Sequence, residues 1–244
     1  MARLGTRLRE GSSYLGRACV DRNEIMSSPS DTSKLIAAAA SAALAPLGCV
    51  RAGKSRIWRC DKTFWAIHIE FQPSSWGSGS YLNVGPEWFW RETPGPSGMN
   101  RPVDFIAFES PEQFRPLAEG MAAAAAHEAL SLADRFKSIT DISRWLLSAR
   151  LREGWPAFDA AVACALAGNL EAAQAQFLRI QNWPAHYDWQ LRLKRRSAAL
   201  AALLDRVEDF HEALLYTILA RRKDLGWTED RQRVIAALAG RAVR

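Results

Sequence analysis

The residues predict an α+β fold: an antiparallel sheet of about four strands packed with helices, followed by an all-helical C-terminal extension. Three observations carry this. Apolar residues recur at helical period before Gly48, they alternate strictly between Thr63 and Phe71, and no strand pattern follows Pro156.

Asp31, Thr32 and Ser33 supply capping oxygens ahead of a stripe of Leu35, Ile36, Ala39, Ala40, Ala43, Leu44 and Leu47. Pro46 and Gly48 end that helix. Ile57–Cys60 and Thr63–Phe71 then read as two strands of a hairpin joined by a two-residue turn at Asp61-Lys62. In the second strand Trp65, Ile67, Ile69 and Phe71 take one face, and Phe64, Ala66, His68 and Glu70 the other. A Ser/Gly loop, 73–80, leads to a third strand over Tyr81–Val84, extending towards Trp88-Phe89-Trp90. Thr93–Pro102 reads as loop, and Val103–Phe108 as the fourth strand. Ser110-Pro111-Glu112-Gln113 is a capped helix start, with Pro116 delaying the regular helix to Leu117–Phe136. A short helix over Ile142–Leu151 closes this half. Beyond it lie a helix stopped at Gly168-Asn169, a return helix ended by Pro184, a helix from Tyr187 towards Arg222, and one capped by Thr228. The organisation is a tail over 1–30, disordered or the product of a mis-assigned start, then an α+β domain over 31–151 and a helical domain over 152–244.

The chain has 244 residues, 48% hydrophobic and 24% charged, which excludes wholesale disorder. No apolar run reaches the roughly 18 residues of a spanning helix, so no membrane association is expected. Its net charge of +6 is spread evenly along the chain and makes no nucleic-acid footprint by itself. Cys19, Cys49, Cys60 and Cys164 are scattered with no C-x-x-C pair. That spacing suits no zinc site, and reduced thiols in a cytoplasmic protein are the expectation. No metal and no cofactor is expected.

Gly48-Cys-Val-Arg-Ala-Gly53-Lys54-Ser55 matches the phosphate-cradling pattern G-x-x-x-x-G-K-[ST] at every fixed position. The chemistry needs a strand entering the loop and a helix leaving it, so that backbone N–H groups and the helix dipole converge on the phosphates. Here an Ala-rich helical segment enters and an alternating segment leaves. The pattern reads as a helix-to-strand connector, with a nucleotide-binding enzyme as the alternative.

Leu44-Ala-Pro-Leu-Gly48, Gly53-Lys-Ser-Arg-Ile-Trp58-Arg, Ile69-Glu-Phe-Gln72-Pro-Ser-Ser-Trp76-Gly77 and Tyr81-Leu-Asn83-Val-Gly85 occur in order. Over about residues 34–149 the chain thereby resembles the bacterial family called domain of unknown function 4304. The resemblance implies an α+β fold in which Gly48–Ser55 is a connector, and it implies no activity. Cys49, Phe71 and Pro73 depart from the family's pattern. Separately, the hairpin over 156–184 resembles one tetratricopeptide repeat through Gly168, Ala173, Phe177 and Pro184, although such repeats need about three stacked copies to bury a core.

No catalytic constellation is legible. His68 and Glu70 share a strand face without a nucleophile or an orienting third group. His127-Glu128 lacks the second His of a helical metal site, and Gly77-Ser78-Gly79 is not a hydrolase serine turn. The candidate binding surface is Gln72, Ser74, Ser75, Trp76 and Asn83, an aromatic in a Gly/Ser loop flanked by amides that hydrogen-bond both ways, with Trp88 and Trp90 joining across the sheet; the competing reading makes Trp76 a core plug and Gln72 and Asn83 satisfiers of loop backbone. Arg192, Lys194, Arg195, Arg196, Arg221, Arg222 and Lys223 could contact phosphates, but the acids interspersed among them favour a solvated mixed-charge face. The expected function is a non-catalytic binding module whose partner is another protein; the alternatives are the nucleotide enzyme and a nucleic-acid binder on the rear helices. The oligomeric state is not legible.

Overall fold

The computed structural model describes residues 31–149 and 153–239. The expectation for the 1–30 tail and the boundary at 151–152 fall outside these residues. The described chain is α+β, five strands in one antiparallel sheet with eight α-helices.

The strands form a meander in the order β1 (Cys49–Arg51), β2 (Ile57–Asp61), β3 (Trp65–Pro73), β4 (Gly79–Trp88) and β5 (Asn100–Ala107). Two helices, α1 (Asp31–Leu44) and α2 (Pro111–Arg135), pack on one another and on one face of the sheet. That face carries Trp58, Cys60, Trp65, Ile67, Ile69, Phe71, Leu82, Val84 and Trp88, all buried. Its aromatic centre is Trp65, Trp88, Trp90 and Phe136: Trp88 stacks on Trp90 with centroids 5.0 Å apart, and Phe136 meets Trp65 edge-on at 5.4 Å. Burying such side chains contributes roughly 1.5–3 kcal/mol each.

The helical part follows as α3 (Ile139–Ser148), α4 (Trp155–Leu166), α5 (Leu170–Asn182), α6 (Asp188–Ala201), α7 (Val207–Asp224) and α8 (Arg231–Leu238). Buried residues run around the whole circumference of α4 from Ala157 to Cys164, because α3 and α5 pack against it. Side-chain caps set several helix starts: Ser110 accepts from the Gln113 N–H at 3.2 Å, and Asn169 from the Ala172 N–H at 3.1 Å. The last helix is capped by Asp230 rather than Thr228.

Four local expectations are corrected. The β2–β3 connection is a three-residue turn, Lys62-Thr63-Phe64, with Thr63 at φ 72° and its N–H on the Asp61 carboxylate at 2.7 Å. Residues 100–102 belong to β5 rather than to the loop; Pro102 is tolerated because β5 is the sheet edge. Helix α2 runs unbroken through Pro116, which sits in its second turn and forfeits only one backbone bond near an end. Cys49 and Cys60 are not scattered thiols: they are direct cross-strand partners on β1 and β2 and form a disulfide, while Cys164 remains a buried thiol. Sequence separation could not reveal that pairing; strand register does.

The opposite face of the sheet is polar, and α7 reaches its upper end through Arg221 and Arg222. Glu87, fully buried at the end of β4, receives Arg59 Nε at 2.7 Å, His68 Nδ1 at 3.1 Å, and Arg221 of α7 through Nε at 3.1 Å and through Nη2. Burial pushes its carboxyl up, but hydrogen bonds from His68, Arg59 and Arg221 outweigh that and hold it down at about 2. Beside it Arg222, 1% exposed, spans both Asp61 oxygens at 2.8 Å and lies over Trp227, whose ring packs on Phe89. A third buried pair joins the halves: Asp159 of α4 accepts from Arg91 Nε at 2.8 Å, Trp90 Nε1 at 3.1 Å and Ser97 Oγ at 3.1 Å. Arg221 and Arg222 are therefore structural cations, not the solvated face expected of them.

Glu87→Gln strands two arginines without their counter-charge and should cost about 3–5 kcal/mol at neutral pH. Because Glu87's folded pKa lies below its ordinary value of 4.5, its contribution is present above about pH 4.5 and is lost as pH falls towards 2. Urea unfolding at pH 7 and at pH 3 should show the wild-type advantage shrinking with acidity.

Candidate functional site

Strands β3 and β4 continue past the part of the polar face that α7 reaches, and their lower ends carry the candidate surface. Pairing holds to Pro73↔Ser80, so residues 74–78 form the connecting loop. Ser74 Oγ accepts the Trp76 N–H at 3.1 Å, a local turn that fixes the loop backbone. Ser75 is exposed next to it. Trp76 is 95% exposed. An indole left in water forgoes the roughly 1.5–3 kcal/mol that burial of a large apolar side chain brings, and Trp76 is no plug of the core.

Beneath the loop, alternation places Gln72 on β3 and Tyr81 and Asn83 on β4 on the polar face. Asn83 Nδ2 donates to Gln72 Oε1 at 2.7 Å, and Arg101 of β5 donates through Nε to Asn83 Oδ1 at 3.1 Å. The Arg101 guanidinium lies 4.5 Å above the Tyr81 ring, whose other neighbour is Phe105 at 5.3 Å. Phe105, 39% exposed, rests on the hairpin backbone: a Cβ on Gly79 would come within 2.6 Å of its ring and 2.3 Å of the Ile106 carbonyl. The structure thus brings Gln72 and Asn83 together as a hydrogen-bonded amide pair and adds Tyr81, Arg101 and Phe105 beside it. Tyr81 was within reach, since it alternates in phase with Asn83. Arg101 and Phe105 were hidden by reading 100–102 as loop.

Trp88 and Trp90 do not join this surface; both lie in the core on the far side of the sheet. His68 and Glu70 do not form a pair either. His68 is buried against Glu87, and Glu70 lies across from Asn83. His127 is exposed, and Glu128 accepts from Asn100 at 3.0 Å. Among the described residues no group of three His, Cys, Asp or Glu could hold a metal ion. Burial pushes the Cys164 thiol up, which disfavours the reactive thiolate.

The segment Gly48–Ser55 has a helix before it and a strand after it. Gly48, at φ 74°, turns the chain out of the short 3₁₀ helix Ala45–Leu47 into β1, and Gly53, at φ 56°, lies in the turn between β1 and β2. The turn's polar groups are engaged among themselves: the Ala52 N–H bonds Ile57 O at 2.9 Å, and Ala52 O accepts from the Ser55 N–H at 3.0 Å and from Ser55 Oγ at 2.6 Å. Arg51 Nε and Nη2 take the carbonyls of Ser55 and Lys54 at 2.7 and 3.0 Å. Lys54 is exposed. A phosphate cradle presents converging N–H groups at a helix start, whereas this turn presents carbonyls to an arginine.

The rear basic residues are similarly committed. Arg196 donates to Ala213 O and Thr217 Oγ1 at 3.0 Å, and Lys194 to Gln181 O at 2.7 Å. Arg192 and Arg195 are exposed. No family model, no curated protein and no solved structure matches the chain.

Because Trp76 packs against nothing, Trp76→Ala should shift unfolding free energy by less than about 0.5 kcal/mol. Gly79→Ala, whose Cβ collides with backbone, should cost several times that. Paired urea titrations check the contrast.

Proposed function

We propose that this chain is a non-catalytic binding protein whose partner is another protein, held by the Trp76 loop and the neighbouring patch of Tyr81, Arg101 and Phe105. The observation that carries this reading is a nearly fully exposed tryptophan beside a prebuilt, hydrogen-bonded polar pair. Trp, Tyr and Arg dominate binding energetics at protein interfaces. A rigid platform that needs no reordering lowers the entropic cost of docking. The helical extension serves as a second docking element, with Leu178, Tyr187 and Leu191 exposed on α5, α6 and the turn between them.

Catalysis is the weaker reading because the carboxylates of the chemistry-bearing clusters, Glu87 beside His68 and Asp159 beside Arg91, are buried with both oxygens already bonded. A nucleotide enzyme rests on the sequence pattern alone, set against the helix-then-strand order around Gly48. A nucleic-acid binder would have to dispense with Arg222, which is buried on Asp61, and with the donors that Arg196 and Arg221 already spend on Ala213 O, Thr217 Oγ1 and Glu87. Kinship with domain of unknown function 4304 over residues 34–149 is part of the same proposal and is compatible with α1, the sheet, α2 and α3 as its unit.

No helix among the described residues is long and apolar enough to cross a membrane. We place the protein in the cytoplasm, a compartment that keeps thiols reduced, and the Cys49–Cys60 disulfide of the fold is the observation that stands against this placement. Alkylation of protein released under denaturing, quenched conditions should then label all four cysteines of the sequence. Labelling of only two would put the protein in an oxidising compartment.

The binding test is affinity capture with wild-type and Trp76→Ala baits of matched stability. The expected outcome is loss of captured partners with the variant, confirmed by weakened binding of each purified partner. An unchanged capture profile would remove the Trp76 surface from consideration.

A further inference from the structure

We propose that the cleft at the seam between the sheet domain and the helical extension, lined by Arg91, Arg196 and Arg221, is a binding site for a small oxyanion-bearing ligand carrying a phosphate or carboxylate group. This site is separate from the Trp76 surface.

The cleft has a volume of about 340 Å³, at the small end of the range for small-molecule sites. One wall comes from the chain just after β4, with Arg91, Glu92 and Pro94; the other comes from α6 and α7, with Arg196, Tyr216, Thr217, Ala220, Arg221 and Asp224. Its charged lining is three arginines against two acids, Glu92 and Asp224.

The three arginines are held rigidly from behind. Arg91 uses Nε and Nη2 on Asp159 and Ser97, and Arg221 uses Nε and Nη2 on Glu87, so Nη1 of each is left for a further acceptor. Arg196 is anchored by Nη2 on Ala213 O and Thr217 Oγ1. Its Nε is buried and has no hydrogen-bond partner, an unmet donor of the kind that costs roughly 1–3 kcal/mol. The nearest anion, Glu92 Oε1, lies 3.4 Å from that nitrogen without hydrogen-bond geometry, and the Glu92 side chain is 54% exposed. Burial lowers the Arg196 pKa, and Glu92 only partly offsets this.

Glu92 thus occupies the position of an internal competitor: a loosely held carboxylate beside a cation that it does not satisfy. A ligand oxyanion that displaces it would accept a charge-assisted hydrogen bond from Arg196 Nε, a nitrogen that is itself buried. Tyr216, 79% exposed at the rim, offers a ring face and a hydroxyl to the remainder of the ligand.

The geometry makes two substitutions act in opposite directions. Calorimetric titration of the full chain with inorganic phosphate, and separately with succinate, at constant ionic strength reads both. Saturable binding of either probe is expected, phosphate binding alone marking a phosphoryl ligand and succinate binding alone a carboxylate. Glu92→Gln should tighten binding about three- to tenfold, and Arg196→Gln should weaken it at least about tenfold. Absence of saturable binding by both probes overturns the proposal. So does binding that Glu92→Gln leaves unchanged or weakens, a criterion that holds even if Arg196→Gln fails to fold.

Discussion

A carboxylate at the end of a sheet strand, sealed from water, dictates how the rest of this molecule is arranged. Glu87 has no exposed surface, and removing a carboxylate from water costs several kcal/mol unless partners replace the lost solvation. Arg59 and His68 come from neighbouring strands on the same face, but they satisfy only one oxygen. The other is bonded by Arg221, from a helix 134 residues further along the chain. The polar face of the sheet therefore requires α7, and α7 brings Arg222 onto Asp61 in the next step along the helix. The Arg91–Asp159 pair repeats the device at α4. Each pair draws one partner from each half of the chain, so the halves close on one another with a specific register. Such pairs add little net stability over apolar packing, but a misdocked helix would leave buried charges alone.

Stability itself comes from the opposite face. There Trp65, Trp88, Trp90 and Phe136 form a continuous aromatic layer that Phe136 extends to Trp145 of α3. This division of labour accounts for the candidate binding surface. Strands β3 and β4 are long, at nine and ten residues, and extend past the reach of α7. Their exposed lower ends keep a hydrogen-bonded amide pair, a cation over a ring and a tryptophan in water. The same division leaves a seam where α6 and α7 meet the chain after β4. Arginines immobilised by the buried carboxylates line that seam, so the groups that fix domain docking also shape a cleft.

Much of this was legible in the residues. The helical stripe before Gly48, the alternation of β3 and its assignment of faces, and the helical nature of everything after Pro156 follow from local periodicity. So does the helix-then-strand order around the Gly48–Ser55 pattern, which argues against a phosphate cradle. Gln72 and Asn83 were within reach because a period of two puts both on one face. Other features lay outside that kind of reading. Thr63 at a positive φ is held by the Asp61 carboxylate, while Pro102 on the sheet edge and Pro116 in the second turn of a helix sit where a missing N–H forfeits little.

What the sequence by itself determined is each element's type and which residues share a face, because these depend on backbone periodicity within a few residues. Only the tertiary structure decided which polar residues are buried partners. It made Arg221 and Arg222 internal counter-ions, moved Trp88 and Trp90 from the candidate surface into the core, joined Cys49 to Cys60 and left Trp76 in water. The physical reason is one of range. Periodicity is set by the chain's own geometry, whereas the pairing of charges, thiols and rings depends on which distant segment arrives against them.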